Sequence, residues 1–387
     1  MLSNTTANAQ HYRQQLPHVN RWVIKIGSAM LTQNGQGIDP KVLSQWAGQI
    51  ATLQRANKQV LLVSSGAIAI GMGQLNWHTR PTELSQLQTA AAVGQMQLSH
   101  AWQEAFATHG IRIAQVLLTH DDAADRQRYL NIRSSLQTMC QLNIIPVINE
   151  NDTVSYAEIR FGDNDNLGAM VANVVSAGAY LILTDQQGLY DKNPRQHSDA
   201  QLIPTAYAHD PALLDIADSK GSALGSGGML TKILAAQKAA HSGTHTLLAS
   251  GAQPDIITRL SQGEPIGTLL IAHNSPQQAR KQWLGSQLQI AGQLWLDQGA
   301  SQALISAQKS LLPVGVTQIS GNFARGELVA CLNPQGKEIA RGLINYDAQE
   351  TQQLIGKHSH ELTQLLIHGD TLIHRDNLIL TPNAAHL

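Results

Sequence analysis

The chain has only two cysteines, Cys140 and Cys331, far apart and with no second thiol near either. That excludes a disulfide scaffold, a cysteine-based metal site and a C-x-x-C redox motif, and it fits a reduced, cytoplasmic setting. Charged residues make up only 14% and the formal net charge is −1, so no broad polyanion-binding surface is expected. No run of about 18 apolar residues occurs, which leaves no membrane span to predict. The first twenty residues are polar and lack the apolar region of a signal peptide, so 1–20 reads as a disordered extension. The G-x-x-x-x-G-K-[ST] order of a Walker A loop is absent. The pairs His241/His245 and His358/His360 have no third ligand of a recognised kind nearby, so no metal site is assigned. Aromatic residues are scarce while glycine is frequent, the balance of an α/β enzyme with many tight strand–helix turns.

What is abundant is concentrated. Between Asn149 and Asn166 stand two runs of four acidic or amide side chains each: Asn149, Glu150, Asn151 and Asp152, then Asp163, Asn164, Asp165 and Asn166. The apolar run Ile144 to Ile148 before them reads as a buried strand. Leu167, Met170, Val171, Val174 and Val175 after them repeat at helical spacing. The cluster therefore sits at a strand end and at a helix start. Strand ends are where open α/β sheets bind ligands, and helix starts leave N–H groups free for an anion. Turn formation and N-capping also use Asn and Asp, but one cap needs one such residue.

At 387 residues, two domains are expected. The first strand, Trp22 to Ile26, runs into Gly27, Ser28 and Ala29, with Lys25 one residue before the glycine turn. A lysine so close to a buried strand's end is either an edge residue or a phosphate-binding cation. Asp39 and Pro40 open a helix with the apolar face Leu43, Trp46, Ala47, Ile50 and Leu53. The strand Val60 to Val63 delivers the small residues Ser64, Ser65, Gly66 and Ala67, and Gly71 and Gly73 are read as continuing a flexible loop. A long helix, Leu84 to Thr108, a strand, Ile111 to Leu118, and a helix flanked by Arg126, Arg128 and Arg133 follow. Cys140 on that helix is most simply core packing.

Beyond the acidic cluster, the strand Tyr180 to Leu183 ends at Thr184-Asp185. Ser219 to Gly228 holds four glycines in ten residues and opens the helix that begins at Met229, with Lys232 in its first turn. Backbone N–H groups, the positive helix end and a point charge together make a phosphate cradle. Strand His245 to Ala249, helix Pro254 to Leu260 and strand Thr268 to Ile271 complete a largely parallel open sheet with helices on both faces. The polar stretch 274–286 reads as a linker between a first domain, 21–273, and a small β-rich domain, 287–376. The strands expected in the latter are Gln293 to Leu296, Val314 to Ile319, Glu327 to Leu332 and Ile339 to Ile344.

The segments KIGSAML, VSSGAIAIG, AAVGQMQL, PVINENDTV, GDNDNLGA, LTDQQGLYDKNPR and GSGGMLTK occur in that order. With them the chain, from about Arg21 to Asp376, resembles the glutamate 5-kinase family of the amino-acid kinase superfamily. The tail from GQLWLDQGASQAL to IARGLINYD is similar to a PUA domain. Ala29 departs from the family pattern, which usually carries a second Ser or Thr there, so one hydroxyl beside the phosphates is absent.

The resemblance implies the amino-acid kinase fold and ATP-dependent phosphorylation of the γ-carboxylate of L-glutamate, the first step of proline synthesis. A carboxylate is already nucleophilic, so the chemistry asks for positioning and charge neutralisation rather than a base. Lys25 and Lys232 are the expected cations, and Asp165 the carboxylate that orients both. By the same resemblance Ser65, Asp152 and Asn164 hold glutamate. Thr184, Asp185 and the segment Ser226, Gly227, Gly228, Met229, Leu230, Thr231 and Lys232 form the nucleotide site. Mg²⁺ is expected with ATP, held mostly through phosphates and water, with no protein ligand assigned. Proline is the expected feedback inhibitor. A homo-oligomer and transfer of the labile product to the next proline-pathway enzyme are further expectations.

Other readings have specific tests. An RNA-binding role for the tail meets a poor electrostatic footprint, because from 287 onward six lysines and arginines face eight aspartates and glutamates. A regulator with a decayed site is at odds with the retention of Lys25, Lys232 and Asp165. Within the same class, acetylglutamate kinase and aspartokinase are the runner-up readings, and INEND and the PUA-like tail weigh against both.

Overall fold

Eight short strands build the main sheet: β1 (Arg21–Ile26), β2 (Gln59–Ser64), β3 (Ile113–Leu118), β4 (Ile145–Glu150), β5 (Ala179–Thr184), β6 (Thr205–Tyr207), β7 (His245–Ser250) and β8 (Thr268–Ile271). Their order is β3-β4-β2-β1-β5-β7-β8-β6, and only the β7–β8 pair is antiparallel. The structure is a computed structural model that describes residues 5–31, 37–119, 121–122, 125–154, 164–218, 228–275, 278–279, 290–307, 309–358 and 368–381. It divides into two units, Met1–Pro276 and Gln277–Leu387.

In the first unit, register brings the strand ends level. Ile26 pairs with Ser64 and with Leu183, Val63 with Ile148, and Thr184 with Ser250. The carboxyl ends of five central strands thus share one edge of the sheet. The period of two puts Trp22, Ile24 and Ile26 on one face, against Trp46 of α3 (Pro40–Arg55) and Trp102 of α5 (Leu84–Ala107). Val23 lies on the other face, with Val171 of α7 (Asn164–Val175) and Ile233 of α9 (Met229–His241). Lys25 shares the parity of Val23, so its stem starts out on the α7/α9 side.

Helix α3 starts as the sequence indicates: the Asp39 side chain accepts from the Lys41 N–H, and Pro40 needs no partner for a missing one. Gly71 does not continue a loop. It lies in α4 (Ala67–Gln74), and so does Gly73. Packing gives the reason for Gly71, though not for Gly73, where a Cβ would meet nothing within 4 Å: a Cβ on Gly71 would stand 1.8 Å from the Ala90 carbonyl oxygen, and one on Gly94 of α5 would stand 1.9 Å from that of Ala67. Gly71 and Gly94 let two helix backbones touch, and Gly66, with φ +110, uses glycine's conformational freedom at the turn before α4.

Residues 5–20 are also not the disordered extension expected of 1–20. Thr5–Gln15 forms α1, and Leu16 is fully buried. Arg13 is buried too, and its guanidinium donates to the carbonyls of Glu264, Ile266, Pro204 and Gly267. A polar composition hid a segment that is held by one side chain able to satisfy several backbone acceptors at once. Arg128 and Arg133 lie within, rather than beside, α6 (Arg126–Gln141), and Cys140 on it is buried in the core. The short α2 (Ser28–Leu31), β6 and α8 (Ala212–Asp218) were not anticipated, and the helix expected over 254–260 is α10 (Ile256–Ser261). Among the described residues no helix is long and apolar enough to cross a membrane.

The second unit contains β9 (Gly292–Leu296), α11 (Gln298–Ala307), β10 (Val316–Gly321), β11 (Leu328–Leu332), β12 (Glu338–Leu343), α12 (Ala348–Leu354) and β13 (Leu378–Leu380). Its sheet runs β10-β9-β11-β12-β13 around a core that includes Leu294, Val316, Val329, Ile339 and Tyr346. The four expected strands are present. Both helices and β13 are additions, and α12 opens with a capping box between Asp347 and Glu350. The stretch read as a linker, 274–286, lies mostly outside the described residues.

Candidate active site

Three elements deliver one buried ion cluster. Lys25 comes from the last turn of the pleat in β1, Asp165 from the first turn of α7, and Lys232 from the first turn of α9. The Lys25 Nζ lies 2.7 Å from Asp165 Oδ1, and the Lys232 Nζ lies 3.0 Å from Oδ2. The carboxylate is fully buried and each lysine side chain is 7% exposed, so little water reaches the cluster. Burial alone would raise the Asp165 pKa. The two ammonium groups outweigh it and hold the carboxyl well below the usual range. Thr231 Oγ1 shares its one proton between the Gly228 carbonyl, at 2.8 Å, and the same carboxylate, at 3.1 Å.

Two details fix this geometry. The Tyr180 hydroxyl donates to the backbone carbonyl of Asp165 at 2.8 Å, and Gly168 makes room, since a Cβ there would stand 2.3 Å from that hydroxyl oxygen. At the far end of α7, Arg133 donates to the Val174 carbonyl, and Arg21 donates to that of Val175. Cations at the C-terminal carbonyls complement the helix dipole, whose positive end carries Asp165.

Above β1 the backbone is open to a ligand. A Cβ on Gly27 would lie 3.7 Å from Lys25 Nζ and 3.8 Å from the Leu183 carbonyl oxygen. Any side chain there would occupy the space over the lysine. Helix α9 begins at Gly228 with no side-chain cap, so its first N–H groups have no side chain competing with an anion. Thr184 is buried at the end of β5, and its Oγ1 donates to Asp185 Oδ1 at 3.0 Å; Arg195 binds the other oxygen of Asp185 at 2.9 Å. Of the residues expected in the nucleotide site, Ser226 and Gly227 lie outside the described residues.

The expected substrate residues meet on the β2/β4 side. The Asn164 amide donates to Ser65 Oγ at 2.6 Å and to Asn149 Oδ1 at 2.9 Å. Both amide hydrogens are thereby used, while among the described residues Asn164 Oδ1 is buried without a hydrogen-bond partner. Asp152 Oδ1 is in the same condition. Burial pushes the Asp152 carboxyl up to about 6, against a lowering pull from Arg80. Two buried acceptors without donors are costly unless something fills their need. Asp163 and most of the loop Glu150 to Phe161 lie outside the described residues.

Sequence reasoning placed Lys25, Asp165 and Lys232 together on the strength of a resemblance, and the geometry brings them within ion-pair distance. It gave no role to Asn149, although its position in the amide cluster was a signal. Tyr180 was read as strand core. A fully buried tyrosine needs a partner for its hydroxyl, and that is the cue that could have found it. Among the described residues no group of three or more His, Cys, Asp or Glu is placed to hold a metal.

Two family models and several known proteins match the chain. The model of the amino acid kinase family matches residues 20–250, and that of the PUA domain matches 292–366. The chain is 54% identical over 360 residues to a glutamate 5-kinase of Methylobacillus flagellatus, covering 92% of this chain and 97% of that one. It is 53% identical over 370 residues to a glutamate 5-kinase of Thioalkalivibrio sulfidiphilus, covering 95% and 99%.

Proposed function

The chain belongs to the amino acid kinase family, in its glutamate 5-kinase branch, and from that premise we propose that it transfers the γ-phosphoryl group of ATP to the γ-carboxylate of L-glutamate. A carboxylate oxygen attacks the γ-phosphorus, the bond to the ADP oxygen breaks, and γ-glutamyl phosphate and ADP result. The observation that carries this reading is the buried Asp165 carboxylate held between Lys25 and Lys232 at the strand-end edge.

The reaction brings an anionic nucleophile to an anionic phosphate, with no proton to remove. Its barrier is lowered by fixed positive charge where negative charge gathers. Lys25, beside the open backbone of Gly27, suits the transferring phosphoryl group from one side, and Lys232 suits it from the other. Asp165 keeps both ammonium groups aimed in a site that excludes most water, and Thr231 and Tyr180 keep Asp165 in place. The uncapped start of α9 and the Thr184-Asp185 turn are suited to the nucleotide. Mg²⁺ would neutralise phosphate charge when bound. Both oxygens of Asp165 face lysines and Asp185 is engaged by Arg195, which favours an ion held by the phosphates and water.

At the substrate end, Asp152 Oδ1 and Asn164 Oδ1 are buried acceptors that match an α-ammonium donor. Ser65 Oγ accepts from Asn164, which leaves its own proton to donate to the α-carboxylate. Proline carries the same two α-groups and no γ-carboxylate, so it fits as a competitor for this end of the site. A ligand of that kind shifts the protein only by its differential affinity for the conformation it favours.

The reaction is tested with ATP and a panel of glutamate, acetylglutamate, aspartate and carbamate, trapping acyl phosphate with hydroxylamine. Glutamate is expected to turn over fastest, and faster turnover of another acceptor refutes the assignment. An initial-rate matrix of glutamate against proline at saturating ATP tests the inhibitor. Proline is expected to raise the apparent KM for glutamate with little effect on that for ATP, and inhibition that glutamate cannot relieve would place the inhibitor elsewhere.

A further inference from the structure

The polar contacts of Asn164 do not stop at Asn149. The Asn149 amide donates to Gln95 Oε1 at 2.8 Å, the Gln95 amide donates to Ser99 Oγ at 3.2 Å, and the Ser99 hydroxyl donates to Gln115 Oε1 at 2.7 Å. Side chains from α7, β4, α5 and β3 thus form one directed chain of hydrogen bonds, from a buried amide to an exposed one. A primary amide can present either its oxygen or its NH₂ to a neighbour, and the two faces are nearly the same size. In this chain each bond decides the next. Gln95 Oε1 calls for the Asn149 NH₂, so Asn149 Oδ1 turns to Asn164; that oxygen calls for the Asn164 NH₂, so Asn164 Oδ1 is the atom left over.

We propose that Gln95 is a positioning residue for the amino-acid substrate: through Asn149 it fixes the Asn164 amide with its carbonyl oxygen toward the ammonium group of the ligand. The proposal rests on the glutamate reading above. Gln95 is held firmly enough for the task. It follows Gly94, where α5 touches α4 backbone to backbone, and one helical stretch further on Trp102 Nε1 donates to Ser64 Oγ at 2.9 Å, beside Ser65. Helix α5 is therefore locked to the strand end that carries Ser65. With Gln95 lost, Asn149 is biased by Asn164 alone, and the two amides can flip together because the Ser65 hydroxyl can donate as well as accept. The flipped state would set NH₂ against NH₂ at Asn164, or turn Asn164 so that a donor meets the ammonium.

The test compares Gln95→Met, which fills the same space without an acceptor, with Gln95→Glu, which keeps an oxygen for Asn149. Both are assayed beside the unaltered chain with glutamate and ATP varied separately, and their thermal unfolding is recorded. The Met variant is expected to raise the KM for glutamate about tenfold, the loss of roughly one hydrogen bond's net contribution, with kcat and the KM for ATP within about twofold and unfolding little moved. The Glu variant is expected to recover most of that loss. An unchanged glutamate KM in the Met variant, equal damage in both variants, or a parallel loss of ATP affinity and stability would each overturn the positioning role. If the unaltered chain does not phosphorylate glutamate, the parent reading fails instead, which the same assay reveals before either variant is considered.

Discussion

Replacing Asp165 with asparagine changes one atom and should be felt in both stability and rate. The carboxylate is fully buried and is shared by two ammonium groups, at 2.7 and 3.0 Å. Asparagine keeps the volume, and its Oδ1 can still accept from one lysine. Its NH₂ must then face the other lysine, donor against donor, in a site with little water. Removing one partner of a buried ion pair typically costs about 3–5 kcal/mol, because the remaining charge stays buried without its counter-charge. Here two cations lose it together, so the upper part of that range is expected, a large share of a stability of roughly 5–15 kcal/mol. Denaturant unfolding of Asp165→Asn against the unaltered chain measures it. Two further features separate this cause from general damage. ATP brings negative charge to the same lysines, so it should raise the melting temperature of the variant by more than that of the unaltered chain, by linkage. The pH dependence has a definite sign as well. The Asp165 carboxyl is held below its ordinary value in the folded chain, so its contribution is complete above the ordinary carboxylate pKa of about 3.9 and is lost as pH falls through and below that region. The stability gap between the two proteins should therefore be flat from pH 5 to 8 and shrink below about pH 4. A variant as stable as the unaltered chain at pH 7, or one that ATP stabilises less, would show that the cluster is not an electrostatic unit.

Three other expectations follow from the same site. Lys25→Ala and Lys232→Ala should each lower kcat on the order of 10²–10³-fold, the usual loss for one transition-state donor, with circular dichroism spectra like the parent's; near-normal turnover in either would make that lysine structural. Asp152, pushed up to about 6, must be ionised to hold an ammonium group, so the KM for glutamate should rise as pH falls through 6, about tenfold per unit at the acid limit. The sign for stability is opposite to that of Asp165, since a raised carboxyl favours the fold below its unfolded pKa and loses that contribution as pH rises through 6; an Asp152→Asn variant whose KM keeps the same pH profile would refute the role. A chain ending near Ser286 should fold and phosphorylate glutamate, because the ion cluster and the amide cluster both belong to the first unit, and a folded but inactive product would place part of the site beyond that point.

Where one face of an element is buried, its periodicity in the sequence was enough to read it. Leu43, Trp46, Ala47, Ile50 and Leu53 announced α3, and all five are buried where the pattern put them. The strands β1, β2, β4, β5 and β7 were legible for a similar reason, being buried apolar runs that stop at small or polar residues. Gly71 and Gly73 misled because glycine near a turn has two uses. The sequence carries the freedom of the backbone and the absence of a side chain in the same symbol, and only the 1.8 Å gap to Ala90 tells which is at work for Gly71. The α1 segment misled because its hold on the fold comes from Arg13 reaching several carbonyls, which has no period to detect.

The candidate site divides along the same line. Lys25 and Lys232 stand next to glycine turns, which made them visible as residues but not as a pair. What joins them is parity and direction. Lys25 leaves β1 on the face of Val23, α7 and α9 both cover that face, and both begin at the strand-end edge. Two helix starts and one strand end then converge on a point where a single buried carboxylate can meet both cations. The Asn164–Asn149–Gln95 chain belongs to a harder class, since its members lie on three elements and its content is the direction of each bond. An amide's letter in a sequence does not say which of its faces is spoken for. That is decided only when the whole chain of donors and acceptors is followed to its end, which among the described residues is a buried oxygen on Asn164 that has no donor.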